Sequence, residues 1–456
     1  MGKIKFGTDG WRAVIGEEFT FSNISRVASR LKQFLGSGRI CVGYDNRFLS
    51  PEYAAFFCSV LNKLGFETDL SDSAVTTPMV SYRTKYGGYT LGIMFSASHN
   101  PAQYNGLKIK LPYGGSANDA FVRQLTDGLD ETSWEKHPAA LSIAGLDRNK
   151  WSGDYLSAIG SVLPVNGFKV VCDYMNGPAA MYFGRILNPK GYELKELRNE
   201  RDPLFSGVSP EPKPATLPGL VDIMNSGTHD IGFAFDGDGD RIAVVDEKGR
   251  LLSMQILLAV LAYDLLEQGK KGTILKTVAG TYLVDRLAKI YGVKTEMLPI
   301  GFKNICHRLI DGDVLVGGEE SGGIGFGDFL PERDAMYTAV RCLELMSRRK
   351  TLIGRFWDEI SEKIGGSHYL REDISLSEKA DKELLKKNIT DMSVQGRFPE
   401  KINSIIEIDG LRIEFESGSW LLIRPSGTEP VLRIYAEAES AGTVKELIRI
   451  GKETVR

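Results

Sequence analysis

Short apolar runs alternate with segments of helical spacing along most of this chain. The run Gly38–Tyr44 predicts a strand, and Pro51–Leu64 predicts a helix with proline in its first turn. Two further pairs follow the same order: Phe168–Cys172 with Ala179–Asn188, and Thr273–Leu275 with Tyr282–Tyr291. This repetition predicts an α/β fold with mixed or mainly parallel sheets. Near the C-terminus, Ile405–Phe415 predicts a hairpin and Val431–Ala438 a strand that leads into a final helix.

A chain of 456 residues is too long for a single hydrophobic core, and ordinary domain sizes predict three or four domains. Polar or glycine-rich stretches at 146–150, 246–250 and 365–367 mark the predicted junctions. They divide the chain into four predicted domains: 1–149, 150–251, 252–366 and 367–456.

The composition, with 42% hydrophobic and 25% charged residues, is that of a soluble globular protein. A formal net charge of −3 and the lack of a Lys/Arg-rich tract argue against nucleic acid or a membrane as partner. The most apolar run, Met254–Leu266, is too short to span a bilayer, and Met1–Phe6 lacks the apolar core of a signal peptide. Five scattered cysteines without a Cys-x-x-Cys spacing favour a reducing compartment. A cytoplasmic protein is therefore predicted.

A small, sharply turning loop, Ser96–Pro101, follows the apolar run Leu91–Phe95. A strand that ends in such a loop places a hydroxyl at the mouth of a cleft, and Lys108 and Lys110 follow closely in sequence. A hydroxyl near fixed cations suits the binding or transfer of a phosphoryl group. An ordinary Asn-Pro turn with an incidental serine is the alternative.

A second loop places three carboxylates between the apolar strands Ile231–Phe235 and Ile242–Val245. Glycines between the acidic residues allow the backbone to fold tightly enough for all three to converge on one hard cation. The candidate ligands are Asp236, Asp238 and Asp240.

An EF-hand is a competing interpretation of this loop, because its aspartates and Glu247 stand at the first, third, fifth and twelfth positions of that pattern. It is disfavoured because Arg241 stands where the EF-hand requires glycine and because the flanks are strand-like. The all-oxygen ligand set instead predicts Mg²⁺ or a similar ion. When a phosphate completes the coordination, Arg241 is placed to balance the charge.

Together these motifs resemble those of the α-D-phosphohexomutase superfamily, the phosphoglucomutases and phosphomannomutases. Five stretches match that family's motifs in order: Phe6–Arg12 its N-terminal signature, Ser96–Pro101 its phosphoserine loop, Asp236–Arg241 its metal loop, Gly318–Gly323 its sugar-recognition loop, and Arg424–Pro430 its phosphate-binding loop. The resemblance implies three related α/β domains with mixed sheets and a smaller α+β C-terminal domain around a central cleft.

The resemblance also implies an enzyme that interconverts hexose 1-phosphate and hexose 6-phosphate. Ser98 would carry a phosphoryl group, pass it to a hexose monophosphate, and be re-phosphorylated by the bound hexose 1,6-bisphosphate that results. That bisphosphate is the implied activator. The phosphate on Ser98 would complete the Mg²⁺ site of the three aspartates.

Four residues are expected beside the reacting phosphate. Arg12 and Lys108 would neutralise charge around Ser98. Lys108 is also the candidate for proton transfer with the attacking hydroxyl, because a lysine crowded by cations can have a lowered pKa. His99 is assigned to support of the loop in preference to proton transfer, and Lys303 is expected to contact the reacting end of the substrate.

The phosphate that does not react needs a site of its own, made from guanidinium groups, hydroxyls and backbone N–H groups. The candidates for this site are Arg424, Ser426, Gly427, Thr428 and Arg433. Glu319 and Ser321 are expected to form hydrogen bonds with sugar hydroxyls.

The chain departs from the phosphomannomutase-like pattern at Gly323, where those enzymes commonly carry histidine, so a histidine cannot act there. The sequence Glu319-Glu320-Ser321 and the stretch Ala102–Gly106 look more like phosphoglucomutases, so glucose is the predicted sugar, with mannose and glucosamine as alternatives. A small homo-oligomer or a monomer is expected.

Two other classes of protein remain as alternatives. A metal-dependent sugar phosphatase would let water intercept the phosphoserine, and a non-catalytic sugar-phosphate sensor would not need Ser98. A serine hydrolase is disfavoured because no Gly-x-Ser-x-Gly sequence surrounds Ser98.

Overall fold

The computed structural model describes residues 4–129, 132, 148–165, 167–377, 380–426 and 430–454. The chain forms two compact units. The first comprises residues 1–252, 301–314 and 321–354, and the second comprises residues 253–300, 315–320 and 355–456. The four domain boundaries given above stay predictions.

The first unit contains a seven-stranded mixed sheet. Its strands are β1 (Phe6–Gly7), β2 (Gly10–Val14), β3 (Arg39–Tyr44), β4 (Glu67–Ser71), β5 (Leu91–Phe95), β6 (Tyr104–Lys110) and β7 (Arg148–Asn149). They lie in the order β1-β2-β6-β5-β3-β4-β7. Strand β3 is parallel to β4 and β5, whereas β6 is antiparallel to β2 and β5.

A second, five-stranded sheet belongs to the same unit. Its strands are β8 (Lys169–Asp173), β9 (Glu193–Leu197), β10 (Ile231–Phe235), β11 (Ile242–Val245) and β12 (Leu251–Leu252). They lie in the order β12-β11-β10-β8-β9, with β10 parallel to β8 and antiparallel to β11. The aspartate loop is therefore the turn of the β10–β11 hairpin.

The second unit holds two sheets. The first is ordered β14-β13-β15, and the other is an antiparallel sheet ordered β17-β21-β20-β19-β18. The remaining strands are β13 (Thr273–Thr277), β14 (Thr295–Leu298), β15 (Val314–Gly318), β16 (Ile324–Phe326, in the first unit), β17 (His368–Ser375), β18 (Ile402–Ile406), β19 (Leu411–Phe415), β20 (Trp420–Pro425) and β21 (Val431–Ala438).

Helices follow most of the strands, as the alternating pattern predicts. They are α1 (Phe21–Leu35), α2 (Ser50–Lys63), α3 (Thr77–Tyr86), α4 (Asp119–Thr126), α5 (Ser152–Ser161), α6 (Phe183–Leu187), α7 (Pro218–Asn225), α8 (Met254–Glu267), α9 (Leu283–Tyr291), α10 (Phe302–Leu309), α11 (Ala335–Arg349), α12 (Ile353–Ile364), α13 (Lys382–Val394) and α14 (Ala441–Glu453). The α/β multidomain class is confirmed. Within the part of the chain that the structure describes, no helix combines the length and apolar character needed to cross a bilayer.

Two fully buried strands each lead directly into a loop that carries candidate site residues. Strands β5 and β10 are buried along their whole length, and the serine loop and the aspartate loop begin where these strands end. In β21 the alternation is different: Leu432 and Ile434 are buried in a core that also contains Val444 and Leu447 of α14. Arg433, which stands between Leu432 and Ile434, therefore faces the other side of the C-terminal sheet.

Candidate active site

The phosphoserine candidate lies in the loop that follows β5. Ser98 is fully buried, and its φ of +53° lies in the left-handed region that residues with a Cβ rarely adopt. Its N–H donates to Ser96 Oγ at 2.8 Å, and its own Oγ donates to Asp236 Oδ2 at 2.8 Å. The loop therefore directs the Ser98 hydroxyl at the aspartate loop.

Arg47 shapes the serine loop, and sequence reasoning missed it. Its fully buried guanidinium donates to four backbone carbonyls of the loop and of the strand that follows: Ser98 (2.6 Å), Asn100 (2.5 Å), Pro101 (2.9 Å) and Tyr104 (3.0 Å). These bonds hold the turn in its tight form. An arginine shortly after a buried strand is the one signal in the sequence that points to it.

Glycine allows the aspartate loop to meet the serine loop. A Cβ at Gly237 would lie 2.6 Å from the Ser98 carbonyl oxygen, so a larger residue would force the two loops apart. Within its own loop, Asp236 Oδ1 accepts the N–H groups of Asp240 (3.0 Å) and Arg241 (3.1 Å). Asp236 therefore holds its own turn with one oxygen and Ser98 with the other.

The three aspartates fit a hard divalent cation. Each is buried and offers one carboxylate oxygen, and these three oxygens lie within 4.8 Å of one another. Asp238 Oδ1 and Asp240 Oδ1 have no hydrogen-bond partner among the described residues. Burial, followed by the charges of Asp240 and Asp238, raises the pKa of Asp236 well above its usual value. Crowded carboxylates with unsatisfied oxygens match the oxygen-only coordination of Mg²⁺.

Lys108 lies inside this cluster of carboxylates. Its Nζ is 2.8 Å from Asp238 Oδ2, 2.8 Å from Asp240 Oδ2 and 2.9 Å from Asp9 Oδ2. Burial alone would lower the pKa of Lys108, but the three carboxylates outweigh burial and raise it. The expectation of a lowered pKa is wrong, because anions rather than cations surround the ammonium group.

Arg12 joins the N-terminal signature to the serine loop. Its Nη1 donates to Asn100 Oδ1 at 2.8 Å, and its Nη2 donates to Asp9 Oδ2 at 2.7 Å. Burial opposes ionisation of Asp9, but Lys108, Arg333 and Arg12 hold its pKa well below the usual range. Asp9 is therefore a shared counter-ion for three cations. It stands in the N-terminal signature, but sequence reasoning did not single it out.

The His99 ring lies next to the candidate nucleophile, with Nδ1 3.3 Å from Ser98 Oγ. Burial and the charges of Arg241 and Arg12 hold the pKa of His99 well below its usual value, so the ring is neutral. The His99 carbonyl accepts a hydrogen bond from the Ser209 hydroxyl. This contact joins the backbone of the serine loop to Ser209, and the role of the His99 ring stays a prediction.

Arg333 is a third residue that sequence reasoning missed. Its Nη2 donates to Asp240 Oδ2 at 2.8 Å and to Asp9 Oδ2 at 2.7 Å, and the side chain is buried. A Cβ at Gly323 would lie 2.6 Å from Arg333 Cδ. The glycine at the departure from the phosphomannomutase-like pattern therefore leaves the space that the Arg333 side chain fills.

Two other predicted residues, Arg241 and Lys303, have ionic partners outside the aspartate cluster. Arg241 directly follows the last aspartate, is partly buried, and has its Nη1 3.9 Å from Glu211 Oε1. Lys303, in the first turn of α10, donates to Asp119 Oδ1 at 2.6 Å. Lys303 is thus paired with an exposed aspartate of α4 rather than with another predicted site residue.

The sugar-recognition loop begins in the second unit. There Glu319 is buried, and Glu320 Oε2 accepts a bond from Thr277 Oγ1 at 3.3 Å. In the first unit, Ser321 is half-buried, and the Gly322 carbonyl accepts the Ile242 N–H at 3.0 Å. That last bond fastens the end of the sugar-recognition loop to the strand that follows the aspartate loop.

The phosphate-binding candidates lie on the C-terminal sheet of the second unit. Arg424 on β20 is directly opposite Arg433 on β21. The Ser426 N–H donates to the Val431 carbonyl at 2.8 Å, which closes the loop between the two strands. Gly427 and Thr428 lie outside the described residues.

Family models match the chain from end to end. They are described as phosphoglucomutase/phosphomannomutase alpha/beta/alpha domain I (residues 3–136), domain II (154–249), domain III (254–363) and C-terminal domain (376–449).

Individual relatives match over similar lengths. A Methanobrevibacter smithii protein named "Probable phosphoglucosamine mutase" is 31% identical over 460 residues, covering 99% of each chain. A Thermococcus kodakarensis protein named "Phosphoglucomutase/phosphomannomutase" is 28% identical, covering 99% of this chain and 98% of its own. A solved structure described as a "putative phosphomannomutase" from Thermus thermophilus superposes with a TM-score of 0.85 at 28% identity, covering 100% of this chain and 99% of its own.

The fold, the buried acidic site and the family matches together define an enzyme of the isomerase class that acts on phosphorylated hexoses. The chain belongs to the phosphoglucomutase/phosphomannomutase family of α-D-phosphohexomutases. This family is Mg²⁺-dependent, which agrees with the chemistry of the aspartate cluster.

Proposed function

We propose that this enzyme interconverts hexose 1-phosphate and hexose 6-phosphate through a transient phosphoserine at Ser98, with glucose as the preferred sugar. The observation that carries the proposal is the 2.8 Å hydrogen bond from Ser98 Oγ to Asp236 Oδ2, at the edge of a buried cluster of three carboxylates. A hydroxyl held beside such a cluster is suited to phosphoryl transfer.

In the proposed transfer, the bond between Ser98 Oγ and phosphorus breaks while a bond forms between phosphorus and the free hydroxyl oxygen of the sugar. The proton of that hydroxyl ends on Ser98 Oγ. The second half-reaction reverses these changes with the other phosphate of the bisphosphate. Asp236, Asp238 and Asp240 would hold Mg²⁺, which supplies positive charge beside the transferring group when bound.

Several cations of this chain would assist the transfer. Lys108 and Arg333 each contact both Asp9 and Asp240, and Arg12 contacts Asp9, so these cations can also interact with a negatively charged phosphoryl group. As an ammonium group, Lys108 is placed to neutralise charge and donate hydrogen bonds rather than to accept a proton.

The remaining residues would hold the substrate. Arg424, Ser426, Gly427, Thr428 and Arg433 are proposed to bind the phosphate that does not react, and Glu319 and Ser321 the sugar hydroxyls. Lys303 and Arg241 are proposed to contact the substrate near its reacting end. The cationic side chains would donate hydrogen bonds to phosphate oxygens, whereas the Glu319 carboxylate would accept hydrogen bonds from sugar hydroxyls and the Ser321 hydroxyl could do either.

Glucosamine is the second candidate sugar. The Methanobrevibacter smithii relative, 31% identical to this chain, is named for the glucosamine reaction. The Glu319-Glu320-Ser321 sequence favours glucose, because it looks more like that of phosphoglucomutases. The two sugars differ at C2, where one carries a hydroxyl and the other an amino group.

The test is the conversion of α-glucose 1-phosphate, glucosamine 1-phosphate and mannose 1-phosphate, each with Mg²⁺ and a trace of the matching 1,6-bisphosphate. We expect the 6-phosphate to form without inorganic phosphate, fastest for glucose. Steady release of inorganic phosphate would instead identify a phosphatase. No turnover of any of the three sugars would contradict the proposal.

A further inference from the structure

One face of the C-terminal sheet carries three arginines and an aspartate on adjacent strands. Arg371 and Asp373 lie two residues apart on β17, so their side chains share a face. The strand register places Asp373 opposite Arg433, and Arg433 opposite Arg424. Residues opposite one another in a sheet have their side chains side by side, so Asp373 is a neighbour of Arg433, and Arg433 is a neighbour of Arg424.

Two like charges that face each other across a strand pair are unfavourable by themselves. Here each of the opposed arginines has a carboxylate partner. Arg424 Nε donates to Asp409 Oδ1 at 2.8 Å, and Arg433 Nε lies 3.6 Å from Asp373 Oδ2. The two carboxylates are therefore resident counter-ions of the pair.

Asp373 is shared between two arginines. Arg371, two residues earlier on the same strand, donates to it through Nε and Nη2, both at 2.8 Å. The Arg371 hydrogen bonds, opposed only in part by burial, lower the pKa of Asp373, so the carboxylate is charged near neutral pH. Its contact with Arg433 is the looser of the two contacts.

The outer ends of the opposed arginines are open. Across the described parts of the chain, no hydrogen bond joins the Nη1 or Nη2 atoms of Arg424 or Arg433 to another protein group. The two side chains are about one-quarter exposed, at 22% and 25%. Their terminal N–H groups can therefore donate hydrogen bonds to phosphate oxygens while Asp373 and Asp409 stay beside the Nε atoms.

We propose that Asp373 is a resident counter-ion whose negative charge repels the bound phosphate, which lowers the affinity of Arg433 and its neighbours for phosphate so that the bisphosphate can leave them. This inference rests on the proposed function, in which Arg424 and Arg433 hold the phosphate that does not react. The two half-reactions use the two phosphates in exchanged positions. The bisphosphate must therefore be released from these arginines once in every cycle, and very tight binding there would slow turnover.

The test uses Asp373→Asn in the full chain, with inorganic phosphate as the probe in isothermal calorimetry. Loss of one negative charge a few ångströms from the phosphate is expected to lower the phosphate Kd by about three- to tenfold. In the mutase assay, KM and kcat are both expected to fall. Asp373→Thr, which suits a strand, provides a second neutral variant.

Glu372→Gln is the matched control. Glu372 directly precedes Asp373 on the same strand and faces the opposite side of the sheet, where it pairs with Lys452 Nζ at 2.5 Å. Its neutralisation changes the net charge by the same amount, and we expect an unchanged phosphate Kd.

Equal or weaker phosphate binding by Asp373→Asn would overturn the inference, because removal of a repelling charge must strengthen phosphate binding. Binding is measured without turnover, so this result does not depend on the sugar used. If Arg424→Ala left phosphate binding unchanged, the proposed phosphate site itself would be wrong, which is a separate failure.

Discussion

The Ser98 hydroxyl donates a 2.8 Å hydrogen bond to Asp236 Oδ2, and both side chains are fully buried. The other oxygen of Asp236 accepts two N–H groups of its own loop, so the carboxylate that receives the hydroxyl cannot turn away. A phosphoryl group on Ser98 would thus lie at the edge of the cluster of three aspartates. This fixed relationship leads to the first two predictions.

Ser98→Ala should abolish most turnover, by at least about a thousandfold, while hexose monophosphate binding stays nearly unchanged. The reason is that the variant loses the group that carries the phosphoryl but none of the proposed sugar or phosphate contacts. The measurements are kcat with glucose 1-phosphate, monophosphate Kd by calorimetry, and intact mass after incubation with the bisphosphate. A loss of binding as large as the loss of rate would count against Ser98 as donor.

Asp238→Ala should weaken Mg²⁺ binding by about tenfold or more and lower kcat in parallel, because one of three converging carboxylates is lost. The rate as a function of Mg²⁺ concentration, together with direct Mg²⁺ titration, separates the two effects. Asp222→Asn, an exposed aspartate on α7, serves as the control and should behave as wild type. A reduced rate with unchanged Mg²⁺ affinity would show that Asp238 does not bind the metal.

Arg424→Ala should raise KM by about ten- to a hundredfold in both directions of the reaction, since a charge-assisted contact to phosphate is lost. The expectation follows from a single site that holds the unreactive phosphate of either monophosphate. Initial rates with the 1-phosphate and with the 6-phosphate give the two KM values. An increase limited to one direction would contradict a shared site.

The local pattern was sufficient to predict the elements that carry the loops. The predicted helix 51–64 is α2, Ser50–Lys63, and the predicted hairpin near 405–415 is β18 with β19. The helix expected at 179–188 is shorter, because a 3-10 turn at Pro178–Met181 precedes α6. Convergence of three aspartates was predictable, because alternate residues of one tight hairpin turn are near neighbours whatever the rest of the chain does.

The sequence did not predict contacts between distant parts of the chain. Arg333 and Asp9 are 324 positions apart, yet their side chains bond at 2.7 Å. Arg47 donates to backbone carbonyls, which every residue has, so the identity of the acceptor residues does not reveal the contact. The pKa of Lys108 was predicted in the wrong direction for the same reason, since its sign depends on which charged groups the fold places around it.

Gly323→Ala should lower kcat severalfold, because the added Cβ would lie 2.6 Å from Arg333 Cδ and displace the guanidinium from Asp240. Gly323→His, which introduces the residue that phosphomannomutase-like enzymes commonly carry, should be worse because it is larger. The control is Gly153→Ala on α5, where nothing lies within 4 Å of the new Cβ. A wild-type kcat for Gly323→Ala would show that Arg333 does not need its present position.

Asp334 connects stability to pH. It caps α11 by accepting the Tyr337 N–H at 2.9 Å, and the Tyr155 hydroxyl donates to both of its carboxylate oxygens. Burial raises the pKa of Asp334 from the usual 3.8 to about 7. Between these values the folded protein binds a proton that the unfolded chain does not, so the contribution of Asp334 to stability falls as pH rises from about 4 to about 7.

Asp334→Asn should remove this dependence, because an amide can still cap the helix but does not ionise. Relative to wild type, the variant is expected to gain on the order of 2–4 kcal/mol between about pH 4.5 and about pH 8, or several degrees in Tm. Calorimetric Tm values of both proteins across this range give the difference directly, and Asp222→Asn is the control. A difference in Tm that stays constant with pH would mean that Asp334 is ionised throughout, because its charge would then cost the same at every pH tested.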